Sequence, residues 1–162
     1  MIKAMESPIG KLFLQIESGK LTSIQFEEPK GFSELIEYEE AENLQLFENT
    51  VNQLNEYFEG QRISFELPLN AEGTAFQQSV WGQLPDISYG KTISYQELAN
   101  RINNPKACRA VGQANRRNPL PIVIPCHRVI GKDKSLTGYA GSLLPIKEYL
   151  LQLELKYAQN IL

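Results

Sequence analysis

Residues 119–131, PLPIVIPCHRVIG, constrain this chain more than any other stretch of it. The β-branched run Ile122-Val123-Ile124 predicts a buried core strand, which leads through Pro125 straight into Cys126 and His127. A fold built on that run places a thiol and an imidazole rigidly beside the interior. His127 is the only histidine, and Cys108 is the only other cysteine. Two cysteines and one histidine exclude a disulfide framework, a zinc knuckle and a His-rich metal site. Neither a metal nor a cofactor is expected.

The chain of 162 residues has room for one ordinary domain or two small ones. Its 42% apolar and 22% charged residues exclude a disordered or fibrous chain. The opening MIKAMESPIGKLFLQI lacks the pattern of a signal peptide, and no apolar run approaches the roughly 18 residues that span a bilayer. The expectation is a soluble cytoplasmic protein of a reducing compartment, with no membrane partner. Charge is unevenly spread. Residues 1–72 hold five Lys/Arg against fourteen Asp/Glu, a net of −9, whereas residues 73–162 hold eleven against five, a net of +6. The basic half suits a polyanion, and two independently solvated surfaces are the competing reading.

Residues 1–72 read as a small α/β domain. Lys3–Glu6, Leu12–Glu17 and Leu21–Phe26 predict an antiparallel meander, separated by turn signals at 7–10 and 18–20. Leu44, Phe47, Val51, Leu54 and Phe58 predict the buried stripe of a helix stopped by Gly60, and Arg62–Leu67 a further strand. Residues 28–42 read as an acidic surface loop or short helix.

Residues 73–162 read as a mostly helical domain. Phe76, Val80 and Leu84 mark a helix closed by Pro85. Ser94-Tyr95-Gln96-Glu97 reads as a capping box opening a helix to about Ile102. Asn104-Pro105 reads as the N-cap and first residue of a second helix running to Arg117. So short a link predicts a helix-turn-helix. At about 100° per residue, Ala107, Ala110, Val111 and Ala114 share a small apolar face, opposite Arg109, Gln113, Arg116 and Arg117. Those polar groups suit a helix lying in a DNA groove, and an ordinary solvated face is the alternative.

Cys126 beside His127 is a candidate nucleophile, because imidazole can draw the proton from a thiol and the thiolate is the reactive form. A buried structural cysteine with a neighbouring histidine is the competing reading. In extended chain the two side chains would point to opposite faces, so a turn or a bridging water is needed. Glu154, on the apolar stripe of a C-terminal helix with Ile146, Leu150, Leu151 and Leu153, either reaches the rim or is paired inside. Pairing with His127 would complete a nucleophile, a base and an orienting acid.

GTAFQQSVWGQL, ISYGKTISYQELA, ACRAVGQANRRNPLPIVIPCHRVIG and LTGYAG together resemble the O6-alkylguanine-DNA alkyltransferases. EYFEG and FELPL extend the resemblance over the N-terminal part. It implies a small N-terminal antiparallel-sheet and helix domain over 1–72. It further implies a C-terminal DNA-binding and alkyl-acceptor domain over 73–162, with a winged-helix-like helix-turn-helix. Cys126 matches the acceptor that takes the alkyl group from guanine O6, His127 its water-mediated base, and Glu154 the carboxylate that orients the histidine. Asn118 matches the residue bracing the active-site turn, and Tyr95 the tyrosine that assists departure of the guanine. Arg109 matches the finger that fills the gap left by the flipped base. Ala110 and Gly112 are small enough for close approach to the minor groove, with Gln113, Arg116 and Arg117 on the DNA side. Tyr139, Arg128 and the main chain around Val129 are implied to line the substrate pocket.

The implied partner is double-stranded DNA carrying O6-alkylguanine, with O4-alkylthymine a second candidate, met by a monomer that reacts once. A module that recognises the lesion without removing it is the alternative, although such relatives replace the acceptor cysteine. Three features depart from the family pattern. Ser142 follows Gly141 where a second glycine is usual, one extra residue separates Tyr139 from Glu154, and Cys108 stands where a small residue such as alanine is common.

Overall fold

The computed structural model describes residues 1–35, 38–131 and 143–160, and its contacts divide the chain into units Met1–Glu72 and Gly73–Leu162. In the first unit β1 (Ile2–Met5), β2 (Leu12–Glu17) and β3 (Lys20–Gln25) form an antiparallel sheet with β2 in the centre. Leu12, Leu14 and Ile16 of β2 are fully buried. Ser18 (φ 51°) and Gly19 (φ 74°) form the two-residue turn between β2 and β3. Positive φ at both positions matches the twist of the strands they join.

The helix α1 (Ala41–Phe58) buries Asn43, Leu46, Thr50, Leu54, Tyr57 and Phe58. The expected stripe was misplaced at its start, since Leu44 is exposed. Two polar residues hold the inward positions because each is satisfied there. The Asn43 carbonyl oxygen accepts from Gly19 N–H at 2.9 Å, and the Thr50 hydroxyl donates to Leu46 O at 2.7 Å. The expected strand over 62–67 is not formed. Gln53 takes both backbone groups of Glu66, at 3.0 and 2.9 Å, and the chain meets β3 only in a bridge between Leu21 and Leu69. Residues 28–35 and 38–40 contain no helix.

The second unit begins with α2 (Ala75–Gln83), opened by a full capping box between Thr74 and Gln77. Ser94 caps α3 (Tyr95–Arg101) by accepting from Glu97 N–H, but the Glu97 carboxylate pairs with Arg101 at 3.2 Å, so only half of the expected box forms. Asn103 (φ 58°) then closes α3. Its N–H donates to Asn100 O and that of Asn104 to Ala99 O, both at 3.0 Å, a Schellman motif. Asn104 therefore ends one helix and does not cap the next. The helix α4 runs over Cys108–Arg116 and starts after Ala107, later than Pro105.

Val111, Ala114 and Asn115 form the buried side of α4, while Ala110 is exposed, a correction to the expected apolar face. Short β4 (Ile93–Ser94) pairs in parallel with β5 (Val129–Ile130), fixing the start of α3 beside the residues after Cys126. The helix α5 (Leu144–Ala158) turns Lys147, Leu150, Leu153 and Glu154 inward. No helix among the described residues is long and apolar enough to cross a membrane.

Candidate active site

The segment that carries Cys126 is a chain of turns. Ile122-Val123-Ile124 is not a strand, although Ile122 and Ile124 are buried as expected. Ile122 has φ 75°, a left-handed conformation that strains a β-branched side chain. Two asparagines hold this backbone. The Asn118 amide donates to Ile124 O at 2.7 Å, and its carbonyl oxygen accepts from Leu120 N–H at 3.0 Å. Pro125, at φ −79° and ψ 66°, sits at the centre of an inverse γ-turn closed by Cys126 N–H on Ile124 O at 2.8 Å. Proline suits that position because its ring already fixes φ near this value. Asn115 then donates to the Cys126 carbonyl at 3.1 Å from the buried side of α4.

Cys126, His127 and Arg128 form a single 3-10 turn, and all three are buried. The turn replaces the extended chain that would have sent Cys126 and His127 to opposite faces. His127 Nε2 lies 2.6 Å from Glu154 Oε2, both groups almost wholly enclosed. With Nε2 donating, the neutral ring keeps its lone pair on Nδ1. That nitrogen is buried, and no hydrogen-bond partner reaches it among the described residues. Burial pushes the His127 pKa down, opposed by the hydrogen bond that the ring donates to Glu154, so the ring is neutral near pH 7.

Glu154 is held by more than the histidine. Arg128 Nε donates to Oε1 at 2.8 Å and its Nη2 to Oε2 at 3.1 Å, while Gly90 N–H reaches Oε1 at 3.2 Å. Burial opposes the charge of Glu154. The hydrogen bonds from His127 and Arg128, with the charge of the Arg128 guanidinium, outweigh it and hold the carboxyl well below its usual range. Arg128 Nη1 also donates to Ile87 O at 2.8 Å, so its side chain serves Glu154 and the loop before β4. From α5, buried Lys147 donates to Val129 O at 2.6 Å and lies over the Tyr95 ring at 5.9 Å. Burial lowers its pKa to about 8, opposed by its interaction with Cys126.

Cys126, His127, Arg128, Val129, Glu154 and Asn118 thus share one cluster, and Lys147 links it to Tyr95. Arg109, Ala110, Gln113 and Arg116 lie exposed on α4, Arg117 is exposed just after it, and Gly112 is half-buried. A Cβ on Gly112 would meet the Tyr95 ring at an ordinary 3.8 Å, so that contact does not require glycine. Tyr139, Gly141 and Ser142 lie outside the described residues. Sequence reasoning missed Asn115, Lys147 and Gly90. Asn115 and Lys147 carried a readable signal, as polar residues on otherwise apolar stripes beside Val111 and Leu150.

The chain resembles known proteins over nearly its whole length. Residues 75–156 match the family model described as 6-O-methylguanine DNA methyltransferase, DNA binding domain, and residues 2–71 match its ribonuclease-like domain. The chain belongs to the 6-O-methylguanine DNA methyltransferase family. It is 46% identical over 151 residues to the constitutive methylated-DNA–protein-cysteine methyltransferase of Bacillus subtilis, covering 92% of each chain. To the methyltransferase of that name from Methanosarcina acetivorans it is 48% identical over 149 residues, covering 92% of this chain and 94% of the relative. Among solved structures it resembles Mycobacterium tuberculosis OGT in complex with DNA, with a TM-score of 0.83, 42% identity, and coverage of 96% of this chain and 93% of that one.

Proposed function

We propose that this methyltransferase repairs DNA by moving the alkyl group of O6-alkylguanine irreversibly onto Cys126. The observation that carries the reading is the His127–Glu154 pair, which leaves Nδ1 as the basic nitrogen of a neutral ring one residue from the thiol. The thiol proton passes to Nδ1, through a bridging water where the 3-10 turn keeps the two apart. The Cys126 sulfur then attacks the alkyl carbon, forming C–S as C–O breaks and the electron pair returns to guanine. The departing base takes up a proton as it regains its oxo form, with Tyr95 the assisting hydroxyl. A thioether has no easy route back to thiol, so each molecule reacts once.

A stacked guanine cannot bring its O6 to an enclosed thiol, so the nucleotide must leave the helix, at a penalty of about a few kcal/mol. Arg109 is exposed at the start of α4 and can fill the gap. Small Ala110 and Gly112 let α4 approach the minor groove, while Gln113, Arg116 and Arg117 meet the strand backbones with little regard to sequence. The backbone around Val129 completes the pocket. We place the protein in the cytoplasm as a monomer, where reducing conditions keep the acceptor a thiol.

Intact-mass and peptide mass spectrometry after mixing the protein with an O6-methylguanine duplex tests this. One methyl per chain on Cys126 is expected, with Cys126→Ser retaining DNA binding and losing transfer. Tight lesion binding without any mass change would make the protein a recognition module instead.

A further inference from the structure

We propose that Arg128 is the counter-ion of Glu154 and thereby positions His127 as a neutral base. The inference rests on the reading of Cys126 as alkyl acceptor and deepens it. Arg128 follows His127 in the same 3-10 turn, yet its side chain returns to the carboxylate that His127 uses. It does so as a two-bond fork at 2.8 and 3.1 Å, with its third donor fastened to Ile87 O. A guanidinium stays charged at any working pH, so the negative charge of Glu154 is answered whether or not His127 carries a proton. With Gly90 N–H and His127 Nε2 added, four donors meet the two carboxylate oxygens.

The charged surroundings of His127 all bear on its proton. Glu154 and Lys147 face it from α5, Arg128 and Cys126 flank it in its own turn, and Tyr89 lies 5.6 Å from the Arg128 guanidinium. Protonating His127 would add a second cation to a carboxylate already neutralised, beside a third at Lys147 and away from water. Without Arg128 the sign reverses. The buried carboxylate would then have His127 as its nearest source of positive charge, the ring would take a proton, and Nδ1 would change from acceptor to donor. Arg128 therefore acts on the thiol through the histidine and not by touching substrate.

The chain holds a single histidine, so nitrogen NMR of this untagged chain reports one imidazole. The wild type is expected to show a neutral ring with the proton on Nε2 at pH 6.5. Arg128→Met should show imidazolium there, and the acid limb of its transfer rate to Cys126 should move up by about one pH unit or more. Arg128→Lys keeps the charge and should keep the ring neutral. An imidazolium ring in the wild type at pH 7 overturns the proposal. So does a neutral ring with an unmoved pH profile in Arg128→Met. Should Arg128→Met fail to fold, the wild-type and Arg128→Lys spectra decide. A neutral ring in a wild type that never alkylates Cys126 would remove the transfer reading and leave the Arg128 assignment standing.

Discussion

Asn115, on the last turn of α4, donates its side-chain amide to the main-chain carbonyl of Cys126 at 3.1 Å. The helix that presents Arg109 and Arg116 to solvent therefore also holds the peptide of the acceptor residue. The helix is itself anchored from behind, since the Trp81 indole N–H donates to Ala114 O at 2.8 Å.

Replacing Asn115 by Leu keeps most of the volume and removes the donor. Val129 N–H still reaches the Cys126 carbonyl, so losing the Asn115 bond costs about 0.5–1.5 kcal/mol, which urea denaturation will read as a lowered midpoint. Transfer to Cys126 should slow while affinity for undamaged duplex holds. Asn115→Asp should be the more damaging change, because it buries an acceptor against an acceptor. Equal midpoints for wild type and Asn115→Leu would show that the hydrogen bond does not hold the turn.

Under the proposed reading, Arg109 handles DNA and takes no part in the chemistry. Arg109→Ala should slow repair of an O6-methylguanine duplex far more than reaction with free O6-benzylguanine, since a free base needs no extrusion. Single-turnover rates on the two substrates give the comparison. Parallel losses would place Arg109 in the chemistry of the cluster.

The meander, the helices and the Cys126–His127–Glu154 grouping were legible because each follows from local pattern or from a resemblance carried by long motifs. The errors have a common physical origin. Val123 and its neighbours look like a strand, but Asn118 captures Ile124 O and Pro125 closes a γ-turn, so side-chain bonds override β propensity. Asn104-Pro105 looks like a helix start, but Asn104 N–H is already used to finish α3. The bonds of Arg128 were not legible, because no local pattern reveals that Glu154, 26 residues away, receives it. Polar Asn115 and charged Lys147 were readable in principle, as interruptions of apolar stripes. Their partners are main-chain carbonyls, which sequence does not mark.

Gly90 (φ 77°) brings its N–H to Glu154, and a Cβ there would lie 2.7 Å from the Cβ of Ala158. Gly90→Ala meets both an unfavourable dihedral and a clash, and should lose more than about 1 kcal/mol. Adding Ala158→Gly removes the clash alone. Partial recovery of the thermal midpoint in the double variant is expected. Full recovery would mean that the dihedral contributes nothing.

Three buried groups give stability the same dependence on pH. The Glu154 carboxyl titrates below its usual 4.5 in the folded chain, so its contribution is present above that value and is lost as pH falls. Folded His127 resists the proton that the unfolded ring accepts below 6.5, which again favours unfolding in acid. Lys147 releases its proton at about 8 when folded but at 10.5 when unfolded, so the unfolded chain binds the extra proton between those values. Its contribution therefore improves as pH rises from about 8 toward 10.5. Urea midpoints taken from pH 3 to pH 10 should climb through both windows. Lys147→Met should flatten the alkaline rise and leave the acid limb. Glu154→Gln should weaken the acid dependence while lowering stability at pH 7, because Arg128 loses its charge partner. An alkaline rise unchanged in Lys147→Met would show that the ammonium is solvated, and that its bond to Val129 O does not persist in solution.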